Sequence, residues 1–339
     1  MSDHLQTTAR ALRHTVIHSP TSFACCGQVS SALSPRLRRE MTERTARSYL
    51  LSQLQARLYS VFYVRGGIDS SAWENPGAGS DLASFRDGLS AANTGTGCMQ
   101  GGWIVLASSA SEVVVRRGNG VRLMLRPEDC FADPGAIPRP GSIVTLRTNK
   151  GLANASPGFY MAASNRDQDH ADAYQRLRVY WNLKPEGAAH LLRICTQELN
   201  DRGLFFHLKV LNDPAAYSRC DAGVLYFQKA DFAAVAAVFK FVLARLAPFL
   251  KSEIPLFTKC LAPGVGFAED PGEGESFGQH RCRIFADGII RAYEQKARHL
   301  DNRLAIVADR FASAGISLNT PYLNPGSMDN YFVEARYAA

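Results

Sequence analysis

The chain has 339 residues, with 38 Lys and Arg against 31 Asp and Glu and a formal charge of +7. That length buries a full hydrophobic core without disulfide or metal staples, and the positive balance favours an anionic partner such as a phosphate or an acidic peptide. The basic residues are scattered, no run of five occurs and aromatics do not alternate with them, which argues against a nucleic-acid platform.

Eight cysteines form no CxxC and no CxxC-plus-His pattern, so a zinc site is not expected. The first thirty residues hold no apolar core ahead of a small-residue cleavage site, and a reducing cytoplasm is the expected compartment. The longest apolar stretch, 232–250, is broken by Lys240 and Arg245 and contains Pro248. It reads as a buried helix rather than a membrane span.

Residues 1–33 are polar and mixed and give no strong element. From Ser34, a proline and "RLRREMTERTARSYLLSQLQARLYSVFYV" predict one long amphipathic helix, with Met41, Leu50, Leu51, Leu54 and Leu58 near helical spacing, ending at Gly66-Gly67. Residues 68–100 are rich in Gly, Ser and Asn, and "NPGAGSDLASFRDGLSAANTGTG" reads as a mobile loop. The period then changes. "WIVLA", "EVVVRR" and "VRLMLRP" are strands, the last two joined at "GNG", where Asn119-Gly120 suits a tight hairpin turn. "SIVTLRT" is a further strand.

A boundary near 155 divides the chain into a helix-plus-hairpin region, 1–155, suited to peptide or partner binding, and a second unit, 156–339; one continuous domain is the alternative. The second half predicts strand "LRVYWNL", a helix from Pro185 to Asn200, strand "LFFHLKVL", turn "NDPAAYSR", strand "AGVLYF" and a helix from Asp231. A glycine-rich loop, "APGVGFAEDPGEGESFG", leads to two closing helices at about 279–296 and 299–314. The expected class is α+β, a mixed and largely antiparallel sheet packed by helices.

Alternation sends Phe205, His207 and Lys209 to one side of their strand and Leu204, Phe206, Leu208 and Val210 to the other. Arg178, Tyr180 and Asn182 likewise share a face, with Val179, Trp181 and Leu183 opposite. The simplest sheet aligns the two polar sides. A solvated edge gives the same pattern, but Arg219, Tyr226 and Arg281 add guanidiniums and a phenol suited to holding a phosphate. The glycine-rich loop lacks a Walker ending and any GxGxxG helix entry, and its acids Glu269, Asp270, Glu273 and Glu275 would repel phosphates. It reads as a solvated loop, a flap, or a surface for a basic peptide. No GxSxG elbow and no HExxH occurs.

"LYSVFYVRGG", "RVYWNL.PEGA", "KVLNDPAAYSRCDAGVLY" and "LFTKCLAPGVGFAEDPGEGESFGQHR" resemble the HopA-type family, which includes plant-pathogen type III effectors and stand-alone lyases of class V lanthipeptide pathways. The second half is more distantly similar to the phosphothreonine lyases of bacterial pathogens. The resemblance implies a metal- and cofactor-free phosphoserine/phosphothreonine lyase that converts a phosphorylated precursor peptide to dehydroalanine or dehydrobutyrine. It also implies a separate kinase-like protein as partner. Lys209 takes the place of the base, crowded by cations that favour its neutral form; Arg178, Arg219, Tyr226, Lys259 and Arg281 take the phosphate-binding places. Tyr180 stands where those lyases carry an acid histidine, which leaves Tyr180, His207 or His280 as the proton donor. Gln228 stands where they carry a further lysine. A non-catalytic phosphopeptide- or partner-binding effector, or an effector lyase acting on a host protein, remain the alternatives.

Overall fold

A computed structural model of the chain describes residues 3–30, 33–65, 81–118, 120–127, 130–131, 137–152, 155–167, 175–272 and 274–332. The N-terminal stretch that gave no sequence signal forms helix α1 (Asp3–Arg13) and a small antiparallel sheet, β1 (Thr15–Ser19), β2 (Ser22–Cys25) and β3 (Gln28–Val29). Its last turn needs two left-handed residues in a row, Cys26 and Gly27. The expected long helix is two: α2 (Pro35–Glu40) and α3 (Glu43–Leu58). The break falls at Met41, whose extended backbone ends α2, and the Thr42 hydroxyl accepts from the Thr45 amide to start α3. A π turn, Tyr59–Tyr63, follows. The expected Gly66-Gly67 stop lies outside the described residues. Part of the expected mobile loop is instead helix α4 (Asp81–Ala92), with Leu89 and Ala92 buried; its first six residues lie outside the described ones.

Four middle strands follow expectation, β4 (Met99–Ser108), β5 (Val113–Arg116), β6 (Arg122–Leu125) and β8 (Ile143–Arg147), and with the unforeseen β7 (Cys130–Phe131) they make a five-stranded sheet in the order β6-β5-β4-β8-β7. Asn119 of the β5–β6 turn lies outside the described residues, while Gly120 carries the positive φ of a tight turn, 85°. One face of this sheet closes a small core of Trp103, Val105, Val113, Val115, Val144 and Leu146.

The larger sheet is built from β9 (Phe159–Ala163), β10 (Arg176–Trp181), then after helix α5 (Gly187–Asp201) β11 (Phe206–Leu211), β12 (Gly223–Gln228), and after helix α6 (Phe232–Leu246) β13 (Lys259–Ala262) and β14 (Val265–Glu269). Its order is β13-β14-β10-β12-β11-β9, with every pairing antiparallel. β14 corrects the glycine-rich loop: all five of its residues are buried and it pairs with β10 along its length. Helices α7 (Phe277–Glu294) and α8 (Leu300–Ser313) close the chain.

One face of the large sheet, carrying Leu177, Val179, Trp181, Leu208, Leu225 and Phe227, packs on α5 and α6; the Trp181 ring lies 5.2 Å from Phe239. With its flanking turns α6 is apolar and long enough to cross a membrane by length and composition, and Val235, Val238, Val242 and Leu246 recur at helical spacing on its buried side. The main core is continuous from Ala11 to Tyr331 and includes Leu50, Leu54 and Leu58 of α3, which packs against α7. Arg47 of α3 and Arg310 of α8 both pair with Asp287 of α7 at 2.7 Å.

Candidate functional site

Register assembles the site. Across β10, β12 and β11, Arg178 stands opposite Tyr226 and Tyr226 opposite His207; one step along, Tyr180, Val224 and Lys209 form a second row. Directly opposed residues share a face, so the two expected polar faces are one surface. β14 contributes Ala268 beside Arg178 and Gly266 beside Tyr180; Thr258 and Pro255 fill the place that a side chain on Gly266 would take.

Two aromatic rings gather the cations. The Lys209 Nζ lies 4.4 Å from the centre of the Phe159 ring and 5.6 Å from that of Tyr226. The Arg219 guanidinium lies 5.7 Å from the same Phe159 ring, and the Arg178 guanidinium 5.2 Å from the same Tyr226 ring. Each guanidinium also grips a carboxylate. Arg178 donates Nε and Nη2 to Asp270 at 3.0 and 2.8 Å, and Arg219 donates Nε and Nη2 to Asp221 at 2.8 and 2.7 Å. Lys209 makes no ion pair among the described residues. Beside Arg178 and Tyr226, a cleft of about 530 Å³ runs to the N-terminal end of α7, bounded by Arg176, Asp270, Glu275 and Gln279.

Tyr180 is 3% exposed and has Tyr63 edge-on at 6.3 Å. Its hydroxyl lies beside Arg178 and Tyr63 without a hydrogen bond of good geometry. Burial pushes its pKa up to about 12, against the pull of Arg178. The phenol thus keeps its proton at neutral pH, next to a cation that stabilises a transient phenolate. His207 differs: burial, then Arg176, lowers its pKa to about 4, so it is a neutral imidazole at pH 7. It lines a second cleft, of about 290 Å³, on the side of β11 away from Arg178.

Of the remaining expected site residues, Lys259 sits elsewhere, whereas Arg281 and His280 lie together on α7, with Arg281 close to Tyr180 and Arg178. Lys259 is register partner to Phe267, which pairs with Val179, so it lies on the opposite face of the sheet; its Nζ is held by Asp329 and the Tyr331 carbonyl. Arg281 is fully buried on α7, close to Tyr180, and donates to the carbonyls of Pro321 and Leu323 and to the Asn324 side chain. Burial pulls its pKa down to about 10. Its role is to anchor the segment after α8. His280 is buried beside it, its Nδ1 2.6 Å from Arg281 Nη1. A chain-order correspondence places such residues near one another in sequence but says nothing of the face they occupy.

The sequence reading missed Phe159, Asp221, Tyr59 and Tyr63. Asp221, two residues beyond Arg219, carried a usable signal: opposite charges on a short turn next to a strand. The tyrosines gave none, because a π turn has no distinct spacing. Tyr59 stacks on Tyr63 at 5.0 Å, and burial raises the pKa of both.

Fold and site together define an α+β protein whose antiparallel sheet presents a lysine, an arginine and two tyrosines on one face, with a second arginine from the β11–β12 connection. The model of the HopA1 effector protein family matches residues 152–323, half of the chain, and the chain belongs to that family. The matched span contains every expected site residue but neither Tyr59 nor Tyr63. Among solved structures, the effector protein from Pseudomonas syringae pv. tomato strain DC3000 is 15% identical with a TM-score of 0.46, over 82% of this chain and 95% of that one. The effector protein from Pseudomonas syringae pv. syringae strain 61 is 13% identical with a TM-score of 0.47, over 96% and 98%. No curated protein matches the chain.

Proposed function

We propose that the chain is a phosphoserine/phosphothreonine lyase acting on a phosphorylated precursor peptide, as in lanthipeptide-type maturation, in the cytoplasm and alongside a separate kinase-like protein. The observation that carries this reading is the meeting of Lys209, Arg178 and Arg219 around the Phe159 and Tyr226 rings. Arg178 and Arg219 bind the phosphate dianion, and the amine of Lys209 takes the α-proton. The Cα–H electrons form the Cα=Cβ bond, the Cβ–O bond breaks, and phosphate leaves with that electron pair. Tyr180, across Val224 from Lys209, donates a proton to the departing oxygen; Lys209 then returns its proton to the phenolate through solvent. The guanidiniums offset the charge growing on the leaving group. No metal or cofactor enters the scheme; among the described residues no cluster of His, Cys, Asp and Glu could hold a metal ion.

One observation favours a second reading, a phosphopeptide- or partner-binding effector without turnover: both arginines are already paired with aspartates. The two readings part in one assay. A phosphoserine peptide incubated with the chain and its kinase partner is expected to lose the mass of phosphoric acid, unaffected by a chelator, with Lys209→Ala lowering the rate at least 100-fold, in the range of a lost general base. Binding with unchanged mass supports the effector instead.

A further inference from the structure

On the reading of the site as a phosphopeptide lyase, on which this inference rests, we propose that the cleft between the two sheets, walled by Trp103, Val121, Leu123, Phe205 and His207, takes an apolar side chain of the substrate two residues from the phosphorylated one. The cleft holds about 290 Å³, room for one leucine- or phenylalanine-sized group. It joins the site through β11: His207 lines it and also ends the row that runs through Tyr226 to Arg178. Along that strand His207 and Lys209 are two residues apart, roughly 7 Å. An extended peptide advances at about 3.3 Å per residue, so two of its residues cover the same distance.

The lining suits an uncharged occupant. Val121 and Leu123 stand 44% and 37% exposed at the mouth of the cleft. Both arginines that border it are engaged within the protein, Arg117 by Asp167 at 2.7 Å and Arg166 by the Gly203 carbonyl at 3.1 Å. The Phe205 ring meets His207 edge-on at 5.1 Å and forms the floor on the β11 side. The small five-stranded sheet then has a role in the reaction: it supplies one wall of the substrate channel, and the large sheet supplies the chemistry.

The test uses fluorescein-labelled nine-residue peptides of alanine and lysine with one central phosphoserine. Phenylalanine stands two residues before it, two residues after it, or nowhere. Binding is followed by anisotropy and turnover by mass, for the full chain and for Val121→Asp and Leu123→Asp at the solvent-exposed mouth. One of the two phenylalanine peptides is expected to bind about tenfold more tightly than the alanine peptide, the scale of one apolar group entering a pocket. Both variants are expected to lose that advantage and to bind the three peptides alike. Equal binding of all three peptides by the parent chain, or an equal loss for all in the variants, overturns the proposal. Unchanged peptide mass throughout overturns the lyase reading alone, because the pocket is judged by binding.

Discussion

A histidine inside a buried strand costs stability in acid. His207 is held neutral with a pKa near 4, against an ordinary 6.5. Between those values the unfolded chain binds a proton that the folded chain does not, so stability is complete above pH 6.5 and falls as pH drops toward 4. The full loss from this one group is at most roughly 3 kcal/mol. Urea unfolding from pH 7.5 to 4.5 is expected to show that slope in the parent chain and lose it in His207→Gln; equal slopes would show that the imidazole is not held neutral. Single residues were legible where strand alternation applied to them. His207, Lys209, Arg178 and Tyr180 lie on the expected shared face because both strands alternate cleanly. No such rule linked Lys259 or Arg281 to that face: Lys259 lies on the opposite one, and Arg281 approaches Tyr180 from α7.

At the level of elements, close packing decides what the sequence hid. β14 reads as loop because Pro263 and Gly264 precede it and Gly266 lies within it, yet both glycines are required by its position. A Cβ on Gly264, whose φ is +75°, would lie 1.9 Å from the Lys251 carbonyl oxygen, and one on Gly266 would lie 2.5 Å from the Thr258 hydroxyl. Gly278, in the first turn of α7, plays the same part for the site. A Cβ there would sit 2.4 Å from the Tyr63 ring and 2.7 Å from that of Tyr59. Gly278→Ala is therefore expected to displace the π turn and destabilise the fold by about 1–3 kcal/mol, the usual scale of overpacking. A shift in the urea midpoint measures it, and an unchanged midpoint would mean that the tyrosines yield freely. The hairpin and helix signals of the second half were readable because turns bounded a clear period; the expected Asp231 cap makes no side-chain hydrogen bond to α6. The N-terminal sheet was not, since strands of two to five residues are too short to establish one.

At the scale of the molecule, the family match and the packing unit do not coincide. The match begins at residue 152, whereas α3 buries Leu50, Leu54 and Leu58 in the main core, against α7. The Asp287 carboxylate then ties three helices through Arg47 and Arg310. A chain begun at residue 66 would expose the α3-facing side of α7 and leave Tyr180 without Tyr63. It is expected to lose the cooperative thermal transition of the full chain, read by circular dichroism; a sharp transition at the parent temperature would show that the second half stands alone.

The aspartates on Arg178 and Arg219 have a consequence for what the empty site attracts. A guanidinium that already carries its counter-ion casts little field into solvent, so free sulfate, nucleotides and metabolites find only weak purchase there. An anion delivered on a peptide arrives with neighbouring contacts of its own, and can compete with a tethered carboxylate where a drifting one cannot. If the chain takes a phosphopeptide as proposed, Asp221 and Asp270 would act as a threshold that a phosphate carried on a peptide passes and a free anion does not.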